Sequence, residues 1–368
     1  LGDKVDPSVL LTLYAGKGAV LSIMSEFLPS IEAYQYLLEV TRQIEDREKE
    51  AGALYGISAA FGFAHEFEKA LEYAEQAKVL ASEIGATNIL ASSIFVIGLV
   101  HSTAGRLGEA AHLWGEALRI SREAGNKDAE GFNLTMLGQL HNWKGEYEQA
   151  LHLHEQTYTI GHTHNLQDAL LQFIWARGVA YCGKGEYEQA LASLQEVFEK
   201  SERLGDKYFK CRILNTFGWV YGELYNLEPA MRYNREGVEL SYTIGDPEII
   251  RNAEANLGDN YLFLGDIDQA QQYLEKAYRD SQQRGKWGEE SMKWRYLQHC
   301  CHSLGELWLT KGDAEQALKF AEECLQLAEP TESRKNIVKG WRLQGQAFCT
   351  QGKLAEAKAV LQKALTLA

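Results

Sequence analysis

The sequence predicts an all-α solenoid, in which about nine helical hairpins stack side by side along a chain of 368 residues. Three observations predict this class. A six-residue segment, with glycine first and alanine last, recurs along the chain, and most copies lie forty residues apart. A second glycine precedes most of these segments by seven residues, and a third marker follows the alanine by fifteen. A fixed period of this length is typical of stacked units that cannot bury their apolar faces alone.

The recurring segment marks the turn between the two helices of a hairpin. Its glycine suits the left-handed backbone conformation in which helices commonly end. Acidic residues after this glycine suit the first turn of the second helix, by capping or through the helix dipole, and they are Glu146, Glu186, Asp266 and Asp313. The clearest copies of the segment are 105–110, 145–150, 185–190, 265–270, 312–317 and 352–357, with degenerate copies ending at Ser30, Ala70 and Ala230.

Two further columns of small residues divide each repeat. Glycines in the middle of the first helix, where a side chain would keep two helices apart, are Gly18, Gly98, Gly138, Gly178, Gly218, Gly258, Gly305 and Gly345, with Ser58 as the exception. The linker markers are Gly85, Gly125, Asn165, Gly205, Gly245 and Gly285. We expect the departures at Ser58, His65, Tyr225 and Glu332 to loosen the hairpins locally.

These markers predict a single domain over residues 1–368. Its repeats are 8–45, 46–85, 86–125, 126–165, 166–205, 206–245, 246–285, 286–332 and 333–368. The spacing from Ala270 to Ala317 is 47 residues instead of forty, which places seven additional residues around Trp287 to Cys301. They form either a longer first helix of the eighth repeat or a linker with an extra turn. Because Leu1–Lys4 is similar to an inter-repeat linker, we expect a fragment of a larger protein.

The composition limits the partners. A formal charge of −14 and a pI near 5.3 argue against nucleic acid, whose phosphates need clustered cations. The longest apolar run, Ile89–Val100, has twelve residues and is too short to span a bilayer, so no membrane contact is expected. The cysteines show no CxxC spacing and lie in predicted helices, which indicates reduced, buried thiols in a cytoplasmic protein; they are Cys182, Cys211, Cys300, Cys301, Cys324 and Cys349.

Leu137-Gly138, Gly145, Tyr147 and Ala150 resemble the tetratricopeptide repeat, whose usual period is about 34 residues. The forty-residue period is similar to extended forms of this repeat, as in kinesin light chains and GoLoco-binding scaffolds. It is also similar to the sensor regions of bacterial signalling ATPases, cyclases and transcription regulators. The resemblance implies a right-handed superhelix whose inner wall is lined by the first helix of each hairpin.

The resemblance also implies a groove that binds protein segments. Inward positions are expected six and three residues before the mid-helix glycine, and one and four after it. They give the groove residues Tyr55, Phe95, Phe132, Gln139, Asn142, Gln172, Trp175, Arg212, Asn215, Trp219, Asn252, His302, Lys339 and Arg342, together with Thr135, Asp259, His299, Glu306 and Gln346. Aromatic rings would take the side chains of an extended peptide, and polar groups its main chain. Alternatively, some tryptophans simply pack between neighbouring first helices.

No catalytic arrangement is evident, and we predict a chain that is not an enzyme and that uses no cofactor. His152 and His154 point to different sides of one helix, and successive side chains from His299 to His302 radiate around another, so no metal site is expected. Three functions remain open. The chain binds a protein segment and relays that event to an effector domain, senses a small molecule for a bacterial ATPase or cyclase, or self-associates end to end.

Overall fold

The structure is a computed structural model that describes residues 7–24, 26–282 and 292–368. Almost all described residues are α-helical, and none of them forms a β-strand, which confirms the predicted all-α repeat solenoid. The helices are α1 (Pro7–Ile23), α2 (Phe27–Gln43), α3 (Arg47–Phe63), α4 (Phe67–Ile84), α5 (Thr87–Thr103), α6 (Leu107–Glu123), α7 (Lys127–Lys144), α8 (Tyr147–Thr163), α9 (Gln167–Lys184), α10 (Tyr187–Leu204), α11 (Lys207–Glu223), α12 (Leu227–Ile244), α13 (Pro247–Leu264), α14 (Ile267–Gln282), α15 (Lys293–Thr310), α16 (Ala314–Ala328), α17 (Arg334–Thr350) and α18 (Leu354–Leu367).

The helices group into two compact units. The described part of the N-terminal unit is residues 7–137, apart from residue 25, and that of the C-terminal unit is residues 138–282 and 292–368. Within each unit, most helices that follow one another pack together, and several odd-numbered helices also contact the next odd-numbered helix. The odd-numbered helices, which are the first helices of the hairpins, therefore neighbour one another. The single domain and its repeat boundaries, and the right-handed superhelix, stay predictions.

The turns follow the predicted chemistry, with one correction. Gly185 has a φ of 85°, and the same left-handed conformation occurs without glycine at His65, Tyr225 and Glu332, with φ values of 60°, 53° and 51°. The expected loosening at these three positions is wrong. The Tyr225 N–H donates to the Gly222 carbonyl at 2.9 Å, as the Gly185 N–H donates to that of Cys182 at 3.0 Å. The non-glycine turns keep their hydrogen bonds and accept backbone strain instead.

Ser58 does not loosen its hairpin either. It lies inside the unbroken helix α3, fully buried, and its hydroxyl donates to the Tyr55 carbonyl at 2.7 Å. The acidic residues after the turn glycines act in two ways. Asp313 caps α16 by accepting from the Gln316 N–H at 3.0 Å, whereas the Glu186 carboxylate pairs with Lys184 at 2.6 Å.

The mid-helix glycines allow the close helix packing that their position predicts. A methyl carbon on Gly218 of α11 would lie 1.9 Å from Oδ1 of Asn234, which is fully buried in α12. A methyl carbon on Gly98 of α5 would lie 2.6 Å from Nε1 of the fully buried Trp114. The two helices of a hairpin therefore touch at a backbone position, and the partner side chain has no room to move away.

We expect Gly218→Ala to lower the free energy of unfolding by about 1–3 kcal/mol, because the added methyl group overpacks the α11–α12 contact. The measurement is urea unfolding followed by circular dichroism. Gly108→Ala is the matched control, since a methyl carbon at this exposed position of α6 meets nothing within 4 Å. The control should gain up to about 1 kcal/mol from the better helix propensity of alanine. Equal effects of the two variants would contradict the packing role of Gly218.

The seven additional residues of the eighth repeat do not lengthen its first helix. Helix α15 has 18 residues, the same number as α13. The longer-helix prediction is therefore wrong for α15, which begins at Lys293. The predicted linker marker Gly285, and Trp287 of the proposed insertion, lie outside the described residues.

The cysteines are free thiols, and five of them are buried as predicted. The prediction of burial is wrong for Cys349, which is exposed near the end of α17. Burial raises the pKa of Cys182 and of Cys324 to about 12, so these thiols stay protonated near neutral pH. None of the described helices combines the length and the apolar composition that a bilayer crossing needs.

Candidate functional site

The C-terminal unit encloses a cavity of about 220 Å³, called the C-terminal cavity below. Side chains of α7, α9, α11, α13, α15 and α17 line it, and these are the first helices of consecutive hairpins. Among the described residues, the second helices contribute Tyr147 alone, at the start of α8. Within this unit, the wall is therefore formed by the first helices, as the sequence predicts.

The cavity brings together many of the predicted groove residues. Those that line it are Gln139, Asn142, Trp175, Arg212, Asn215, Trp219, Asn252, His302 and Lys339, with Asp259, His299 and Glu306. Gln172 and Arg342 are not part of the lining, although Arg342 donates to the Glu306 carboxylate at 2.8 Å. Tyr55, Phe95 and Phe132 belong to the N-terminal unit, where Tyr55 and Phe95 pack partly buried against apolar core residues.

Trp175 and Arg212 stiffen the wall of the cavity. Only 5% of Trp175 is exposed, and its Nε1 donates to the Thr216 hydroxyl at 3.0 Å. The Arg212 guanidinium lies 4.3 Å from the centre of the Trp175 ring and donates to the Tyr208 hydroxyl at 3.0 Å. Trp175 therefore packs between α9 and α11, which is the alternative interpretation of the tryptophans. With so little of its surface exposed, Trp175 offers a ligand only a small contact area.

Trp219 is the more accessible tryptophan of the wall. It is partly exposed on α11, and its Nε1 donates to the Glu223 carboxylate at 2.9 Å. The Lys335 ammonium lies 4.5 Å from the centre of its ring. The Trp219 ring thus joins α11 to the start of α17 across the cavity, and it is held by an acid at one edge and a cation over one face.

Unpaired amide atoms are concentrated on two of the cavity walls. Oε1 of Gln139 and Oδ1 of Asn142 on α7 are buried and have no hydrogen-bond partner among the described residues. The same holds for Nδ2 of Asn260 on α13. A buried amide group without a partner costs about 1–3 kcal/mol. Residues that line the cavity therefore hold hydrogen-bonding capacity that the described residues do not satisfy.

The carboxylates near α17 are mostly engaged by other protein groups. Asp259 lies 2.6 Å from Nε2 of His299, and Glu306 accepts from Arg342. Burial alone would raise the pKa of Asp259, but the contact with His299 holds it below its usual range. Burial and the nearby Lys335 lower the pKa of Lys339, which has no ion pair or hydrogen bond among the described residues.

A contact between distant parts of the chain bridges one side of the cavity. The rings of Trp143 and Trp294 meet edge to face at 5.7 Å, and the Ser333 hydroxyl donates to the Trp143 carbonyl at 3.0 Å across 190 positions of sequence. Lys144 also pairs with Glu332. This bridge, formed by Trp143, Lys144, Trp294, Glu332 and Ser333, joins the end of α7 to the starts of α15 and α17.

An apolar rim lies at the ends of α11 and α13. Phe263 lines the cavity while 44% of it is exposed, and its ring meets that of Tyr225, which is 76% exposed, at a tilt of 51° with the ring centres 5.7 Å apart. Large exposed aromatic residues that touch each other beside a cavity are typical of binding sites.

Several lining residues lie just outside the predicted stripe, three of them one residue after its end and three about one helical turn before its start. Trp143, Glu223 and Phe263 lie five residues after their mid-helix glycines, and Glu248, Arg295 and Lys335 lie ten before them. Ten residues before the glycine is one turn earlier than the predicted position six before it. Carrying the same spacing to both ends of the first helices would have found these residues.

The histidines do not form a metal site in the described part of the chain. No group of three or more His, Cys, Asp and Glu side chains there could hold an ion. His152 is exposed, whereas His154 is fully buried with its Nε2 3.3 Å from Nδ2 of Asn142. Burial lowers the pKa of His154 to about 3, so this ring is neutral near pH 7.

The class of protein follows from the fold and from a family match. The tetratricopeptide repeat family model matches residues 255–279, which span the end of α13, the turn and most of α14. The chain is a tetratricopeptide-type helical repeat array. No curated protein matches the chain in sequence.

Solved structures with this fold include three that cover most of the chain. A Rap protein complexed with Competence and Sporulation Factor has a TM-score of 0.70 at 15% identity, with 97% of each chain covered. The Rap conjugation gene regulator of the plasmid pLS20, in complex with the Phr* peptide, has a TM-score of 0.59 at 16% identity, with 89% of this chain and 97% of that chain covered.

The third is a signal transduction ATPase with numerous domains from Pyrococcus horikoshii, which carries a tetratricopeptide repeat sensor. Its TM-score is 0.53 at 17% identity, and 97% of this chain is covered. The chain spans 52% of the length of that ATPase. At these identities the three likenesses show the shared fold.

Proposed function

We propose that the chain is a peptide-binding regulator or scaffold whose ligand inserts part of its length into the C-terminal cavity. The observation that carries this proposal is the lining of the cavity, where the partly exposed Trp219 and Asn252 lie beside further side-chain amides. An extended peptide presents N–H donors and C=O acceptors along its main chain, and side-chain amides can pair with both. The partly exposed Trp219 supplies a ring against which a peptide side chain packs.

Two further observations support a peptide. The apolar rim of Tyr225 and Phe263 gives a side chain of the ligand an apolar contact beside the cavity. A protein of the same fold, the Rap regulator of plasmid pLS20, is solved in complex with the Phr* peptide. Relay of the binding event to an effector domain belongs to the same proposal.

The test uses a synthetic pool of random heptapeptides, passed over the immobilised full chain. We expect the wild-type chain to retain a subset of the pool. Trp219→Ala combined with Asn252→Ala should weaken retention at least tenfold, because both residues line the cavity, both are partly exposed, and Trp219 supplies an apolar surface.

Asn88→Ala is the control, since this exposed residue lies in the N-terminal unit. Circular dichroism checks that every variant keeps its helices. Equal retention of heptapeptides by the wild-type chain and by a folded double variant would contradict the proposal.

A small-molecule sensor is the second candidate, and the bridge from α7 to α15 and α17 favours it. By closing one side of the cavity, this bridge restricts the length of any ligand, and small ligands occupy closed cavities. If the heptapeptide pool is not retained, but metabolite extracts raise the thermal midpoint of the wild-type chain alone, the sensor is the better account. End-to-end self-association stays a prediction, and the exposed Leu354 and Leu365 on α18 are compatible with it.

A further inference from the structure

We propose that an exposed apolar patch of the N-terminal unit binds a partner protein, through a segment that carries apolar side chains beside Lys or Arg. The patch, called the N-terminal apolar patch below, consists of Met24, Phe27, Leu28 and Phe63. It lies at the turn between α1 and α2 and at the end of α3. These residues belong to the N-terminal unit, so the inference does not depend on the ligand of the C-terminal cavity.

The N-terminal apolar patch spans the first two hairpins. The rings of Phe27 on α2 and Phe63 on α3 stack at 5.9 Å, which joins the turn of one hairpin to the first helix of the next. Phe63 remains 57% exposed. Met24 and Leu28, which flank Phe27 along the chain, are 61% and 66% exposed. Large apolar side chains that are exposed together, instead of singly, are typical of interaction surfaces.

The equivalent place in the C-terminal unit is charged. There the Lys184 ammonium at the end of α9 pairs with the Glu148 carboxylate at the start of α8, at 2.9 Å. The equivalent residues three repeats earlier are Ala64 and Leu28. The fold therefore does not require an apolar residue at Leu28, and its exposed side chain is available to a partner. Acidic residues also occupy this place in most other hairpins, as Glu68, Glu188, Glu228, Asp268 and Glu315.

The charges around the patch indicate a cationic partner. Glu26 is the N-cap residue of α2, and Glu32 follows Leu28 by about one helical turn. Glu68 occupies the place of Leu28 in the next hairpin. These three carboxylates are exposed, and none of them has an ion pair among the described residues. A segment that brings Lys or Arg together with apolar side chains therefore complements both features of the surface.

The same carboxylates disfavour two other occupants of the patch. A second copy of the chain that docked through this patch would bring like carboxylates together, because the patch would face itself. An anionic membrane surface would also be repelled. The nearby Lys69 ammonium does not offset this charge, since it is paired with Glu66 at 2.5 Å.

The experiment measures the binding of two labelled synthetic peptides to the full chain by fluorescence anisotropy. One peptide of about 14 residues consists of Leu and Lys in the pattern of an amphipathic helix, and the other has Glu in place of Lys. We expect the wild-type chain to bind the Leu/Lys peptide at least tenfold more tightly than the Leu/Glu peptide, because only the former complements the charge around the patch.

Leu28→Glu combined with Phe63→Thr should weaken binding of the Leu/Lys peptide at least tenfold, because two apolar contacts are lost. The added carboxylate would strengthen a purely electrostatic attraction, so weaker binding identifies the apolar contact. Both substitutions introduce residue types that occur at the same place in other hairpins, as at Glu148 and Thr310. Leu365→Glu is the control, because this leucine on α18 is 73% exposed and lies in the C-terminal unit.

Equal binding of the Leu/Lys peptide by the wild-type chain and by the folded double variant would overturn the proposal, as would equal binding of the two peptides by the wild-type chain. Dimers of the wild-type chain that the double variant abolishes would assign the patch to a second copy instead. Phosphatidylserine vesicles that bind the wild-type chain alone would assign it to a membrane. If the double variant does not fold, Leu28→Glu alone provides the same comparison.

Discussion

Lowering the pH from 6.5 to 4.5 should reduce the free energy of unfolding by about 2–3 kcal/mol through His154 alone. Burial lowers the pKa of this ring to about 3 in the folded chain, whereas it is about 6.5 in an unfolded one. Below pH 6.5 the ring of His154 therefore binds a proton in the unfolded chain but not in the folded chain. Each pH unit between these two pKa values costs about 1.4 kcal/mol, so stability is full above pH 6.5 and falls as the pH decreases towards 3.

The packing around His154 explains why its ring stays neutral. His154 is fully buried on α8, and a methyl carbon on Gly138 of α7 would lie 2.5 Å from its Cε1. Its Nδ1 has no hydrogen-bond partner among the described residues. A charged imidazolium at this place would lack the carboxylate or the water that would stabilise it.

The measurement is urea unfolding at pH 6.5 and at pH 4.5, with His154→Gln compared with the wild-type chain. The variant should lose about 2–3 kcal/mol less over this range. Burial also lowers the pKa of His302, so part of the pH dependence persists in the variant. His152→Gln is the control, since this neighbour is exposed. If the free energy of unfolding changed equally with pH in His154→Gln and in the wild-type chain, the loss of stability at low pH would not come from His154.

Trp175→Ala is expected to lower the free energy of unfolding by about 3–5 kcal/mol, the usual cost of emptying a buried tryptophan site. The substitution removes a ring that fills the space between α9 and α11, and it leaves the Thr216 hydroxyl without the Trp175 donor. Arg212 also loses the ring over which it lies. Urea unfolding at pH 7 gives the value.

Trp219→Ala is the matched comparison for Trp175→Ala. Trp219 lies on the same wall, but more of its surface is exposed, so its removal should cost less. Equal losses for the two tryptophans would contradict the structural role of Trp175. A binding test at this wall should therefore use Trp219, whose removal should disturb the fold less than that of Trp175.

The sequence was sufficient for the architecture because each repeat carries its own turn and close-packing residues. Gly218 and Gly98 occupy equivalent places in different hairpins, and each contacts a buried side chain of the second helix. Counting from such glycines also predicted Trp219, Asn252 and Lys339 as lining residues of one cavity. A pattern of residues that recurs at a fixed period can be recognised in a single sequence, without knowledge of the tertiary contacts.

Other features depend on contacts between residues of different repeats. The period of the sequence carries no information about these contacts. The bridge from Trp143 to Trp294 and Ser333 joins segments about 150 and 190 residues apart, and no local pattern indicates it. The burial of Trp175 depends on Thr216 and Arg212 of the neighbouring helix. The left-handed Tyr225 departs from the preference for glycine because neighbouring hydrogen bonds fix the turn.

The most direct measurement of the central claim is photo-crosslinking of a heptapeptide that the wild-type chain retains, with a benzophenone group on the peptide and mass spectrometry of the products. We expect crosslinks to α7, α11, α13 and α17, whose side chains line the C-terminal cavity. Crosslinks confined to α10, α12 and α14, or to the N-terminal unit, would contradict it.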